Sequence, residues 1–188
     1  VLDASDEKGY QVEAVVTPAL GTSITLNRSV TERQSGASYF EEWFGELKTG
    51  LGETIEAAFI YDFIDNAESG TEDHTPILEV QYAPGGEWSV RTEYQYQDTE
   101  RVIGAGETTH FGLVEYNVSP SLTVSAVGER AVTLEENSLF GQVDYHLTEE
   151  HFLSFTAGKR RGGYICVGGV CRFEPEFEGV EGRFVTSF

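Results

Sequence analysis

From 88 to 97 the chain reads WSVRTEYQYQ, and its residues sort by parity. Trp88, Val90, Thr92, Tyr94 and Tyr96 fall on one side, and Ser89, Arg91, Glu93, Gln95 and Gln97 on the other. A helix would scatter these charges around its circumference, whereas a strand of period two segregates them. The same alternation recurs over 10–17, 23–31, 38–48, 54–63, 76–82, 109–118, 122–130, 139–147, 151–159 and 178–188, about eleven strands in all. Turn-forming Pro and Gly residues or polar stretches separate them.

The connections alternate between short turns after Thr17, Lys48, Tyr82, Val118 and Leu147 and longer polar loops such as 65–75, 98–108 and 160–176. That rhythm suits an antiparallel up-and-down barrel that crosses a bilayer, with short periplasmic turns and longer outer loops. Tilted strands of about ten residues span a hydrocarbon core of roughly 30 Å. The fold expected is therefore an all-β transmembrane barrel over 10–188, preceded by a flexible acidic lead or outer loop, 1–9. An odd strand count is unusual for a bacterial single-chain barrel. The reading is of 11–12 strands that form the C-terminal part of a larger barrel, or whose twelfth strand precedes Val1.

Composition closes off other classes. Twelve basic residues stand against 32 acidic ones, a formal net charge of −20, so an electrostatic case for nucleic acid is absent. No run of about eighteen apolar residues offers a helical span. A spanning barrel needs only every second strand residue to be apolar, so overall polarity does not exclude a membrane.

In a membrane barrel the apolar parity faces lipid and the polar parity lines the interior. The lining candidates are Glu56, Asp62, Glu79, Arg91, Glu93, Gln95, Glu115, Asp144, Glu181 and Arg183. Adjacent-strand pairs such as Glu79 with Arg91 favour a narrow, salt-bridged interior over an open pore. The acidic excess reads either as solubility or a high-salt habitat or as acidic loops and an acidic interior that attract cations or repel anions. Tyr82, Trp88, Tyr116, Tyr145 and Phe188 fall near the level of the short turns, where a membrane–water interface favours amphipathic rings.

Cys166 and Cys171 enclose VGGV, and a local disulfide in an oxidising compartment is the first reading. On the loop-closure argument so small a ring contributes only about 2 kcal/mol, enough to hold one loop tip. No further metal ligand stands in that loop. Asp144 and His146 share a strand face, but no serine or water-activating partner accompanies them, so no catalytic, metal or cofactor residue is assigned.

The terminal EGVEGRFVTSF, with alternate apolar residues and Phe188 last, resembles the C-terminal strand of bacterial outer-membrane barrel proteins. That resemblance implies a final aromatic read by the barrel-insertion machinery and a place in the bacterial outer membrane among its lipids. Residues 158–188, GKRRGGYICVGGVCRFEPEFEGVEGRFVTSF, also look like the tail of uncharacterised outer-membrane proteins from Bacteroidota-type bacteria, whose chains are longer. Gly182 departs from the pattern, since an outward aliphatic residue is expected there.

The functional expectation is a non-enzymatic outer-membrane channel or a membrane-embedded component of an envelope assembly, with an envelope protein partner or a further N-terminal barrel segment completing it. The alternative is a secreted, water-soluble β-barrel that binds a ligand in its interior and turns its polar faces outward.

Overall fold

A computed structural model describes residues 7–33, 38–148, 150–167 and 170–186, with side chains over 8–33, 40–148, 150–162 and 175–186. The elements are β1 (Glu7–Ala19), β2 (Thr22–Arg33), β3 (Ser38–Leu51), β4 (Ile55–Asn66), β5 (Thr71–Tyr82), β6 (Ser89–Arg101), β7 (Glu107–Ser119), β8 (Leu122–Ala131), β9 (Glu136–His146), β10 (His151–Arg160), β11 (Gly163–Val167), β12 (Val170–Glu174) and β13 (Phe177–Thr186). Eleven of them form one sheet in the order β1 to β10 and then β13, each pair antiparallel. β11 and β12 form a separate hairpin within the connection from β10 to β13. The chain is all-β and up-and-down, with no helix among the described residues.

Register keeps the two parities apart across the body of the sheet, with shifts only near the strand ends at Val16/Ala19, Thr31/Glu32 and Asn117/Ser119 among the described residues. Leu47 lies opposite Phe59, Phe59 opposite Leu78 and Leu78 opposite Tyr94, so one apolar row runs unbroken over four strands. Lys48, Ala58, Glu79 and Glu93 form the row beside it on the other face. A slip of one residue would move every side chain to the wrong face, and this specifies the register.

Burial is inverted relative to a water-soluble sheet. Tyr94 is 49 % exposed, while its neighbour Glu93 is 5 % exposed. Leu26, Phe59, Leu78, Val114, Phe155 and Phe184 are exposed on the apolar face, whereas the buried apolar residues are only Val30, Ala58, Leu113 and Ala131 among those described. The sheet therefore has no apolar core between its layers. Its polar face is the sheltered one.

That face is concave. Arg161, just past β10, reaches Glu107 on β7 at 2.6 Å and Glu129 on β8 at 3.3 Å. β7 and β10 are three strand spacings apart, about 14 Å in a flat sheet. One guanidinium meets carboxylates over that span only if the strands curl around it. Glycine assists the curl between β10 and β13, where Gly158 (φ 130°) lies opposite Gly179 (φ 134°), both in backbone that side chains disfavour. A Cβ on Gly158 would stand 2.3 Å from the carbonyl oxygen of Leu139 and 2.7 Å from the Cα of Phe140. Gly158→Ala is expected to destabilise the sheet by about 1–3 kcal/mol, read as a lowered denaturation midpoint in detergent.

Several expectations shift. β1 starts at Glu7, so residues 7–9 of the expected lead are strand, and residues 1–6 lie outside the described residues. The acidic stretch 65–75 is mostly strand: β4 runs on to Asn66 and β5 begins at Thr71, leaving a turn of 67–70. Asn66 Oδ1 accepts the backbone N–H groups of Glu68 and Ser69, both at 3.1 Å, and Gly70 takes φ 65°, so Asn and Gly supply the turn chemistry while the acids stay in the ladder. Likewise β6 and β7 leave only 102–106 between them. The contrast between long and short connections thus rests mainly on 161–176, which carries the β11–β12 hairpin that polarity alone did not reveal.

Gly182 is also explained. It lies opposite Phe155, and a Cβ there would meet that ring at 3.3 Å, so the phenyl group covers the place of the missing side chain.

The sheet is open. Among the described residues β1 pairs only with β2 and β13 only with β10, and residues 8–19 of β1 are exposed on both faces. Eleven antiparallel strands in order leave β1 and β13 pointing the same way, so a direct closure would pair them in parallel.

Candidate functional site

The candidate site is the concave polar face. Register places Glu56, Asp62, Glu79, Arg91, Glu93, Gln95, Glu115, Asp144, Glu181 and Arg183 on it together. Its centre is an ion-pair network on β5 and β6. Arg91 Nε and Nη2 donate to Glu79 Oε2 at 3.0 and 2.9 Å, and Nη2 also meets Glu93 Oε2 at 2.5 Å. Gln95 Nε2 donates to the other oxygen of Glu93. These partners compensate a Glu93 side chain that is only 3 % exposed. Toward the turn between β3 and β4, Lys48 Nζ meets Glu56 at 2.7 Å. Asp62 keeps one buried oxygen, Oδ1, without a partner.

A second polar chain runs across β7 to β10. Asn117 Nδ2 donates to Glu115 at 3.2 Å and to Ser89 at 3.2 Å, and Thr123 donates to Asn117 Oδ1 at 2.7 Å. Thr156 donates to Gln142 Oε1 at 3.3 Å, and Gln142 Nε2 donates to Asp144 Oδ2 at 2.7 Å. Asp144 Oδ1 is buried and unpartnered. Arg183 Nη2 donates to Glu181, its neighbour on the same strand, at 3.1 Å. No hydrogen bond joins Asp144 to His146, whose ring instead lies 5.5 Å from that of Phe152. Among the described residues no group of three or more His, Cys, Asp or Glu side chains is placed to hold a metal.

On the convex face, Tyr82, Trp88 and Tyr116 form a run of edge-on rings, with centroids 5.7 and 6.0 Å apart beside the β5–β6 turn. Tyr145 is exposed on the same face. Phe188 lies outside the described residues, as do the side chains of Cys166 and Cys171, whose backbone positions are directly paired in the β11–β12 hairpin.

A second aromatic band, which the sequence reading did not identify, lies toward the opposite end of the strands. Trp43 stands opposite Phe63 and Phe63 opposite His74, and Arg28 lies over the Trp43 ring at 4.6 Å while pairing with Glu41 at 2.8 Å. Two Tyr–His hydrogen bonds repeat one motif: Tyr61 Oη to His74 Nδ1 at 2.8 Å and Tyr94 Oη to His110 Nδ1 at 2.7 Å. The signal was available, because His74 and His110 continue the alternating rows of Leu78, Val80 and Tyr82 and of Gly112, Val114 and Tyr116. His74 lies just before the expected strand 76–82 and falls inside β5, whereas His110 lies within the expected strand 109–118. From Tyr82 to His74 the rise along β5 is about 27 Å, or about 20 Å once the strand is tilted as in membrane barrels.

No curated protein matches the chain. Among solved structures, one described as "KdgM porin in complex with disordered oligogalacturonate" is 12 % identical, with 81 % of this chain and 86 % of that chain covered and a TM-score of 0.42. A family profile matches residues 6–188, and the chain belongs to that family, the family of unknown function DUF6029.

Proposed function

We propose that this chain forms most of the wall of a bacterial outer-membrane β-barrel, a non-enzymatic channel or channel component that favours cations. The observation that carries the reading is the inverted amphipathicity: a concave face of ion pairs and amides is sheltered, while the convex face exposes Phe59, Leu78, Val114 and Phe155 between two aromatic bands. In water such a surface is a liability far beyond the few hundred Å² that monomers tolerate. In lipid it is the solvated side. The soluble-barrel alternative needs the reverse arrangement, with polar side chains on the convex face.

Strand direction supports a specific completion of the wall. Antiparallel closure between β13 and β1 requires an odd number of additional strands, from a further barrel segment or an envelope partner. A second copy of this chain in the same orientation would again bring like-directed edges together. The acidic excess on the concave face, with Arg91 and Lys48 already engaged by glutamates, leaves a field that attracts cations.

The test is the reversal potential of the complete barrel in a planar bilayer under a potassium chloride gradient. A potential of the sign set by potassium is expected. An anion-selective potential, or apolar residues of this chain found in a shared aqueous core, would contradict the proposal.

A further inference from the structure

The geometry points to a binding site for a small zwitterionic solute, an amino acid or short peptide with free termini, on the concave face of β9, β10 and β13. This rests on the reading of that face as an aqueous interior. A cavity of about 370 Å³ lies there, within the size range of small-molecule sites. It exists because β10 contributes small side chains between larger ones: Ser154 stands in register between Asp144 on β9 and Arg183 on β13, and Thr156 between Gln142 and Glu181.

Asp144 and Arg183 therefore face one another across a low floor, two strand spacings or roughly 10 Å apart at the backbone, and closer on the concave side. They form no ion pair with each other. Asp144 Oδ1 is buried without a donor, a state that native structures rarely leave unanswered. Arg183 uses one of its donors on Glu181 and keeps the others for a second carboxylate. A free ammonium fits Asp144 and a free carboxylate fits Arg183. The adjoining His146 and Phe152 rings offer an apolar rest for the side chain between them. A simple cation would satisfy Asp144 and leave the arginine side unmatched, and an anion alone would meet Glu115, Asp144 and Glu181 in a cavity that Arg160 and Arg183 also line.

The experiment uses folded protein in detergent micelles and follows the dipeptide glycyl-leucine by ligand-observed NMR, a readout independent of any pore. Saturable binding is expected, weakened at least about tenfold by N-acetylation or by C-terminal amidation, since each cap removes one charge-assisted hydrogen bond. Asp144→Asn should abolish the discrimination against the acetylated form and leave that against the amide. Arg183→Gln should do the converse. Equal binding of free and capped dipeptides, no saturable binding, or retention of both preferences in the variants would overturn the site. Loss of ion conduction with dipeptide binding intact would count against the channel reading and leave the site standing.

Discussion

Phe59→Arg is expected to destabilise the protein folded in phospholipid vesicles by about 2–4 kcal/mol, whereas Tyr82→Arg should cost only about 0–1 kcal/mol. Both side chains are partly exposed on the convex face, Phe59 at 50 % and Tyr82 at 41 %, so exposure alone forecasts equal and small effects. In water, substitutions at such positions usually stay within about 0.5 kcal/mol. A bilayer separates them by depth. Phe59 lies midway along β4, between Leu47 and Leu78, where a guanidinium loses its hydration, while Tyr82 sits at the end of β5 beside Trp88 and can place a charge in the headgroups. Denaturant titration of the two variants in vesicles reads the difference, and equal, near-zero costs would argue against lipid on that face.

The second large effect belongs to the concave face. Arg91→Leu should cost about 3–5 kcal/mol, the range found when one partner of a buried ion pair is removed. The substitution strands Glu93, whose side chain is 3 % exposed, and removes the only cation paired with Glu79 among the described residues. The double variant Arg91→Leu/Glu93→Leu should recover the part of the loss that comes from stranding Glu93, because replacing a buried pair with apolar groups is often nearly neutral, while the part that comes from Glu79 remains. A single variant of unchanged stability would mean that water, not Arg91, solvates Glu93.

Much of this arrangement is legible in the chain because a strand's period is two and each parity has one environment. Glu79 and Arg91 could be placed on one face from spacing alone, and a pairing between them followed from the short turn that joins their strands. What spacing does not encode is which residues stand side by side on strands that are distant in sequence. The cavity beside Asp144 arises from Ser154 and Thr156 lying between β9 and β13, a coincidence of three registers. The ring of Phe155 over Gly182 is of the same kind. Strand ends were misread because Asp73, Glu72 and Asp65 look like loop residues, yet ladder pairing holds them in β4 and β5. The hairpin around Cys166 and Cys171 was hidden by its glycines, which signal a turn without announcing strands beside it.

The two tryptophans give the most direct test of the central claim, because they mark opposite bands of the convex face: Trp88 beside Tyr82 and Tyr116, and Trp43 opposite Phe63. In vesicles containing lipids brominated at graded depths, fluorescence quenching should place both indoles at shallow depth, with quenchers confined to one leaflet affecting only one of them. Two unquenched tryptophans, or two quenched from the same leaflet, would contradict a wall that crosses the membrane.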